Sequence, residues 1–148
     1  MNILSMYILT ICGQRLYLLK TLRGQGLSRR HINTVFQSLI ISRLAYALPA
    51  WGGFLKQYQV SKIDAFLSKA FRFGYTVQQT TLSNILVDAD NVLFNNVQNA
   101  RHCLNFLLPA EKEMQMVLRK ATHFKLPYCH YKIFKNSFIN RSVFKNSY

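Results

Sequence analysis

Apolar side chains recur at helical spacing along this chain, and this period constrains the fold more than any other feature. Its clearest instance lies between Ser61 and Phe73. At roughly 100° per residue, the apolar arc of this segment holds Ile63, Phe66, Leu67, Ala70 and Phe71. Lys62, Lys69 and Arg72 share the opposite arc. Because one face is apolar and the other cationic, we expect an amphipathic helix that buries the apolar face.

The same period continues toward the N-terminus. It predicts a first helix over residues 3–22, which the Gly-Gln-Gly sequence at 24–26 ends. Ser28 is a suitable N-cap for a second helix, and Pro49 with the glycine pair at 52–53 supplies its end. We interpret the apolar runs of both helices as buried faces.

Toward the C-terminus the pattern is weaker. It predicts one or two helices over residues 81–108, with Asp90 or Asn91 as a helix cap, and a short helix over residues 111–121. Residues 122–148 show no sustained period, which predicts an arm without regular structure.

The alternation with a period of two that is typical of strands is scarce, so the predicted fold class is mainly α. We expect a small bundle of about three to five helices with an irregular basic C-terminal arm. The predicted domains are a helical domain over residues 1–108 and, over residues 109–148, a short helix followed by an extended basic and aromatic arm.

The charge of the chain is strongly positive and unevenly distributed. Lys and Arg number 19 against 5 Asp and Glu, which gives a formal charge of +14 over 148 residues. The net charge is +9 over residues 1–80, −2 over residues 81–118 and +7 over residues 119–148. Such an excess favours polyanionic partners, nucleic acid first and anionic membranes second. We therefore expect non-specific binding to RNA, DNA or hybrid duplex.

Seven basic residues are the candidate nucleic-acid contacts. They come from the start of the second helix, the cationic arc of the third segment and the tail: Arg29, Arg30, Lys62, Lys69, Arg72, Lys132 and Lys135. Arg29 and Arg30 meet the positive end of a helix dipole, which leaves two interpretations open. Either the surface tolerates a small cost, or a phosphate is held between the arginines and the helix N-terminus. For the cationic arc, the alternative is an ordinary solvated face, although such faces usually mix both signs of charge.

The tail interleaves its basic residues with aromatic rings. These rings are Phe124, Tyr128, Tyr131, Phe134, Phe138, Phe144 and Tyr148. Two uses remain open for them: packing against the body of the protein, which we expect for most, or stacking on unpaired bases.

No catalytic or cofactor motif is present in the sequence. It contains no phosphate-binding glycine loop, no HExxH zinc motif and no GxSxG elbow. Cys12, Cys103 and Cys129 include no CxxC pair, so we expect reduced thiols and neither a disulfide framework nor a zinc site. Asp88 and Asp90 form a close carboxylate pair, for which capping is a better explanation than metal binding. The chain is predicted not to be an enzyme and to use no cofactor, metal or small-molecule substrate.

Two apolar runs superficially resemble membrane or targeting segments. Residues 1–12 are shorter than the roughly 20 residues that span a bilayer. They also lack the basic region and cleavage site of a signal peptide. The run at residues 35–51 carries Arg43 near its centre, which costs about 2.5–3.5 kcal/mol on insertion scales. The predicted location is therefore intracellular, in the nucleus or the cytoplasm.

Four stretches of the chain share their order and spacing with a known family. They are QRLYLLKTLRGQG at 14–26, RRHINTVFQSLIISRLAYALPAWGG at 29–53, IDAFLSKAFRFG at 63–74 and the terminal arm at 128–148. The matching positions in the second and third stretches are Phe36, Ile41, Leu44, Tyr46, Pro49, Trp51, Lys69 and Arg72. Together the stretches resemble the region after the catalytic core of a reverse transcriptase from a non-LTR (LINE-like, jockey-type) retrotransposon. The resemblance implies a helical thumb over residues 14–53 that grips a template–primer duplex, followed by a C-terminal connection.

The resemblance does not extend to the chemistry of that family. Its palm carries a [FY]xDD aspartate pair, whereas this chain has no two consecutive aspartates. The resemblance therefore implies a non-catalytic fragment without the palm, which binds nucleic acid. Two alternatives stand beside it: a cationic helical protein that binds a membrane surface or a partner protein, and a retrotransposon remnant with no selected function.

Overall fold

A computed structural model describes residues 3–111 and 124–145, with side chains from Tyr7 onward, and its architecture is mainly helical. The elements in chain order are α1 Ile3–Gly24, α2 Arg29–Phe36, a π-helical segment Gln37–Ile41, α3 Ser42–Ala45, α4 Leu48–Trp51, a 3₁₀ turn Gly52–Phe54, α5 Gln57–Arg72, α6 Leu82–Val97, a 3₁₀ turn Asn105–Leu107, α7 Lys132–Lys135 and α8 Phe138–Lys145. Within the described ranges no strand is present, and Glu111 pairs with Phe124 in an isolated bridge. The predicted mainly-α fold class is confirmed.

The chain divides into two compact units. The first comprises Met1–Leu48 and Leu55–Leu86, and the second comprises Pro49–Phe54 and Val87–Tyr148. The predicted division into domains after residue 108 stays a prediction, because a compact unit need not fold independently.

The core of the first unit forms where α1 packs against α2, the π-helical segment and α5. Its buried side chains come mainly from the apolar faces that the helical period predicts: Ile8, Cys12, Leu19, Ile32, Phe36, Ile40, Leu44, Ile63, Leu67 and Ala70. Full burial of one Leu, Ile or Phe side chain contributes about 1.5–3 kcal/mol. On the opposite side of α5, Lys62, Lys69 and Arg72 are exposed, as the sequence predicts.

The second predicted helix ends earlier than expected and restarts after a break. α3 ends at Ala45, Ala47 adopts a positive φ of 51°, and α4 begins at Leu48. Pro49 explains the break because, in an uninterrupted helix, its ring would clash with the carbonyl of Ala45, four residues earlier. Pro49 instead lies in the first turn of α4, where a missing N–H is tolerated.

Asp90, in the second unit, is not the helix cap that the sequence suggests. It lies inside α6 and is almost fully buried, and its two carboxylate oxygens accept hydrogen bonds of 2.8 Å from Nε and Nη2 of Arg141. The same guanidinium donates to the carbonyls of Asn136 at 2.6 Å and Pro49 at 3.0 Å. Gly53 makes room for this side chain, since a Cβ there would stand 2.1 Å from Nη1 of Arg141. Arg141 therefore forms hydrogen bonds with α6, with the connection between α7 and α8 and with the segment at Pro49.

The helix predicted to run toward residue 108 ends at Val97. Turns follow, and the Asn105 amide donates to the carbonyl of Val97 at 2.9 Å, which satisfies an acceptor at the helix end. Asn and Gln fill four of the positions 95–99. Short amide side chains compete for backbone hydrogen bonds and favour helix ends over helix interiors.

The C-terminal arm contains more regular structure than the sequence predicts. α7 and α8 both lie in the segment expected to be irregular, and α8 buries Ser142 and Val143. Two short helices of this length offer too few turns for a hydrophobic period to be recognised. The helix predicted over residues 111–121 lies outside the described residues, except for Glu111.

Candidate nucleic-acid interface

A groove of about 410 Å³ opens in the first unit, where the C-terminal ends of α1 and α5 meet the N-terminal end of α2. Its lining combines three arginines with apolar side chains and a glycine: Arg23, Leu27, Arg29, Ile32, Phe71, Arg72, Phe73 and Gly74. We name it the arginine groove. It draws one cation from each of three helices that are distant in sequence.

Two helix ends of the same type build the walls of the groove. α1 is closed by Gly26 at φ 89° and α5 by Gly74 at φ 71°. After each glycine, the N–H of the next residue bonds to the carbonyl five residues before it, at 3.1 Å in both cases. This left-handed cap reverses the chain at the helix end, and glycine adopts it without steric cost. Because the chain turns away there, Arg23 and Arg72 from the last turns remain on the lining of the groove.

Arg23 also links the ends of α1 and α5. Its guanidinium donates to the carbonyl of Phe73 and lies 5.9 Å from the ring centroid of Tyr75. A second pocket of about 520 Å³ shares Arg23 and Phe73 with the groove and adds Lys20. The Nζ of Lys69 lies 5.8 Å from the Phe73 ring centroid. The cations on or beside the groove form what we name the basic cluster: Lys20, Arg23, Arg29, Lys69 and Arg72.

Arg29 enters the groove from the first position of α2. Its side chain lies against the α5 cap, since a Cβ at Gly74 would stand 3.9 Å from Nε of Arg29. Ser28 occupies the predicted N-cap position but makes no side-chain capping hydrogen bond, and its hydroxyl contacts Nδ1 of His31 at 2.8 Å. An anion near this helix end would therefore find positive charge and first-turn amides that Ser28 does not cap.

Within the described residues, no carboxylate forms a salt bridge with the basic cluster. Asp64 is the only acid among residues 1–80, and its Oδ1 accepts the Leu82 N–H at 2.7 Å. Among the residues that the structure describes, the one salt bridge joins Arg141 to Asp90, in the other unit. Uncompensated positive charge around an open groove raises the local concentration of anions.

Helix dipoles explain part of this arrangement without any ligand. Arg23, Lys69 and Arg72 lie in last turns, where a cation stabilises a helix by about 0.3–1 kcal/mol. Arg29 lies at the opposite pole of α2, where the same interaction is unfavourable by a similar amount. The dipoles therefore do not account for Arg29, whereas an anion in the groove would.

The structure gathers some of the predicted contact residues and leaves others apart. Arg29 and Arg72 line the arginine groove, and Lys69 adjoins it. Arg30 and Lys62 are exposed but do not line it.

Lys132 and Lys135 belong to the second unit. Both are exposed, and the Nζ of Lys135 lies 4.8 Å from the ring centroid of Phe144. A role for them in binding stays a prediction.

Sequence reasoning misses Lys20 and Arg23. In the sequence, these cations interrupt an apolar helix and resemble ordinary solvated positions. The available signal is their place just before the Gly-Gln-Gly stop, since cations are common in the last turn of a helix. That signal predicts the helix end, but it does not say which other helix end lies beside it.

The described residues offer little for metal or thiol chemistry. They contain no group of three or more His, Cys, Asp or Glu side chains that could hold a metal ion. Burial raises the pKa of the Cys12 thiol, which is therefore protonated at neutral pH. No helix in the described ranges combines the length and apolar character needed to cross a bilayer.

Neither a protein-family model, nor a curated protein, nor a solved structure matches this chain. The chemistry of the arginine groove is therefore the basis on which a function can be assigned.

Proposed function

We propose that this chain is a non-catalytic helical module that binds the phosphate backbone of RNA or DNA duplexes through the arginine groove. The observation that carries the proposal is the meeting of Arg23, Arg29 and Arg72 around one open groove, where none of them forms a salt bridge with a carboxylate of the described residues. Guanidinium groups present planar, bidentate donors that match phosphate oxygens. Two lysines of the basic cluster flank the groove and extend the positive surface.

Binding of this kind is non-specific. Contacts to phosphates fix the position of a duplex but carry no sequence information directly. The groove places its arginines at helix ends, where guanidinium groups are suited to contact phosphate oxygens. We therefore expect similar affinity for duplexes of different sequence.

The resemblance to the thumb of a non-LTR reverse transcriptase agrees with this proposal. The stretches at 14–26, 29–53 and 63–74 that carry the resemblance are the same stretches that supply Arg23, Arg29 and Arg72. A thumb holds a template–primer duplex by its backbone, which is the chemistry proposed for the groove. The proposal includes no polymerase activity, because the chain has no two consecutive aspartates that could match the [FY]xDD pair of that family. It places no metal ion at Asp88 and Asp90, because Asp90 is bound by Arg141. An intracellular location follows as part of the same proposal.

Salt dependence of binding tests the proposal directly. If the five cations of the basic cluster each displace a counterion from duplex DNA, log K falls with log salt at a slope of about −4 to −5. Fluorescence anisotropy of a labelled duplex across a salt series measures this slope, and a duplex of unrelated sequence is the control for specificity. A flat response, or no binding at low salt, would refute the proposal. Flotation with anionic vesicles tests the alternative that the protein binds a membrane surface. Binding to vesicles without binding to duplex would favour that alternative.

A further inference from the structure

The six aromatic rings of the tail within the described residues divide into two groups. Phe124, Phe138 and Phe144 are half-buried, and Phe124 makes an edge contact with Phe94 at a centroid distance of 6.2 Å. The other three project into solvent, with exposed fractions of 88% for Tyr128, 62% for Tyr131 and 57% for Phe134. Packing therefore explains the first group and leaves the second unexplained.

The exposed rings form a continuous row. His130 lies between Tyr128 and Tyr131, at centroid distances of 5.7 and 5.4 Å, and Phe134 follows Tyr131 at 6.3 Å. We name this row the aromatic ladder: Tyr128, His130, Tyr131 and Phe134. Aromatic pairs at 4.5–7 Å stabilise one another. The rings therefore lie next to one another in a row on the surface.

The segment that carries the aromatic ladder contains charges of one sign. Residues 124–145 contain five basic residues and no acid. Two of these are engaged elsewhere, Arg141 with Asp90 and Lys145 with Asn91. Lys125, three residues before the ladder, and Lys132, between Tyr131 and Phe134, are exposed. The segment at residues 124–145 thus combines ring faces with cations and contains no acid. The exposed Glu111 adjoins the start of this segment, where it pairs with Phe124.

We propose that the aromatic ladder is a second binding site, which stacks the unpaired bases of single-stranded nucleic acid while Lys125 and Lys132 contact its phosphates. Every base has a π-face, so stacking on a row of rings binds single strands with little sequence preference. Paired bases inside a duplex cannot reach such rings without unstacking. The aromatic ladder therefore discriminates single strands from duplexes, whereas the arginine groove does not depend on unpaired bases. This inference goes beyond the duplex binding proposed for the groove and does not require it.

The test compares two labelled ligands of about 12 nucleotides, within the range of single-strand site sizes. One is oligo(dT), which forms no duplex, and the other is a blunt duplex of the same length. The variant Tyr128→Ala/Tyr131→Ala/Phe134→Ala removes the Tyr and Phe rings of the ladder, keeps His130 and leaves the charge unchanged. We expect its affinity for oligo(dT) to fall by at least about tenfold, the loss of one stacked base. Duplex affinity should change by less than about twofold.

Two controls separate stacking from general loss of aromatic surface. Phe106→Ala truncates another exposed ring of the same unit, 80% exposed, and should leave oligo(dT) binding unchanged. Tyr128→Phe/Tyr131→Phe keeps the ring faces without the hydroxyls and should retain wild-type affinity. Circular dichroism verifies that the triple variant keeps its helical content. If its spectrum differs from that of the wild type, the oligo(dT) affinities of the three single variants are compared instead.

The outcomes distinguish this site from the groove. Loss of oligo(dT) binding in the triple variant, with duplex binding kept, supports the proposal whether or not the groove binds. Unchanged oligo(dT) affinity, or equal losses on both ligands, overturns it. Binding of the wild type to anionic vesicles but not to oligo(dT) also overturns it, and assigns the ladder to a membrane surface.

Discussion

Removing Arg29 and Arg72 together tests the arginine groove most sharply. These are the two predicted contacts that the structure places on its lining. The change to alanine should leave the fold intact, because the two dipole interactions have opposite sign. Arg29 lies at the unfavourable pole of its helix and Arg72 at the favourable one, each by about 0.3–1 kcal/mol. Any change in binding is then a change in the site.

The expected change in salt dependence follows from the number of cations that contact phosphates. With the five residues of the basic cluster contacting phosphates, the slope of log K against log salt is about −4.5, and with three it is about −2.7. Between about 50 and 200 mM salt, the wild type should lose roughly 500-fold in affinity and the double variant only about 40-fold. The weakening should be the same for duplexes of different sequence.

A charge-matched control decides between a site and a general effect of net charge. Arg43→Ala/Arg101→Ala also removes two exposed arginines, neither of which lines the groove. Anisotropy titrations of the wild type and both variants measure the slopes. If the control flattens the slope as much as the groove variant, or if the groove variant keeps the wild-type slope, the assignment of the site is wrong.

Two further predictions concern stability and are measured by chemical denaturation. Asp90→Ala should lower the free energy of unfolding by about 3 kcal/mol, since it leaves the partly buried guanidinium of Arg141 without its carboxylate. For comparison, Lys145→Ala removes an exposed hydrogen bond and should lower the free energy of unfolding by less than about 1 kcal/mol. Gly53→Ala should destabilise by about 1–3 kcal/mol, because its Cβ would meet Arg141 Nη1 at 2.1 Å. Gly13→Ala, with open space around it in α1, should stabilise by about 0.5–1 kcal/mol. Equal effects of the two glycine changes would contradict the close packing at Gly53.

The sequence predicts the helices of the first unit well, because each buries one face with a regular period. The apolar arc of α5, with Ile63 and Leu67 at its centre, is buried as expected, and α1 ends near the predicted glycines. The second unit is harder to predict for a physical reason. Asp90 resembles a cap in the sequence, and only its partner Arg141, 51 residues later, explains its burial inside a helix.

The candidate site was accessible to sequence reasoning only in part. A surplus of cations and the scarcity of acids predict a polyanion partner, and Arg29, Lys69 and Arg72 were recognisable from their helical positions. Arg23 joins them only because two glycine caps place the ends of α1 and α5 side by side. No local pattern encodes which helix ends become neighbours.

The sequence by itself therefore determined the helical character of the chain, the sign of its charge and the positions of most helix ends in the first unit. These properties depend on interactions between residues a few positions apart. The tertiary structure alone decided which cations share a groove, which carboxylate is neutralised inside a helix and which aromatic rings remain in solvent. These features depend on packing between residues that are distant in sequence. Many arrangements of the helices share the same local sequence pattern, and small differences in burial free energy select one of them.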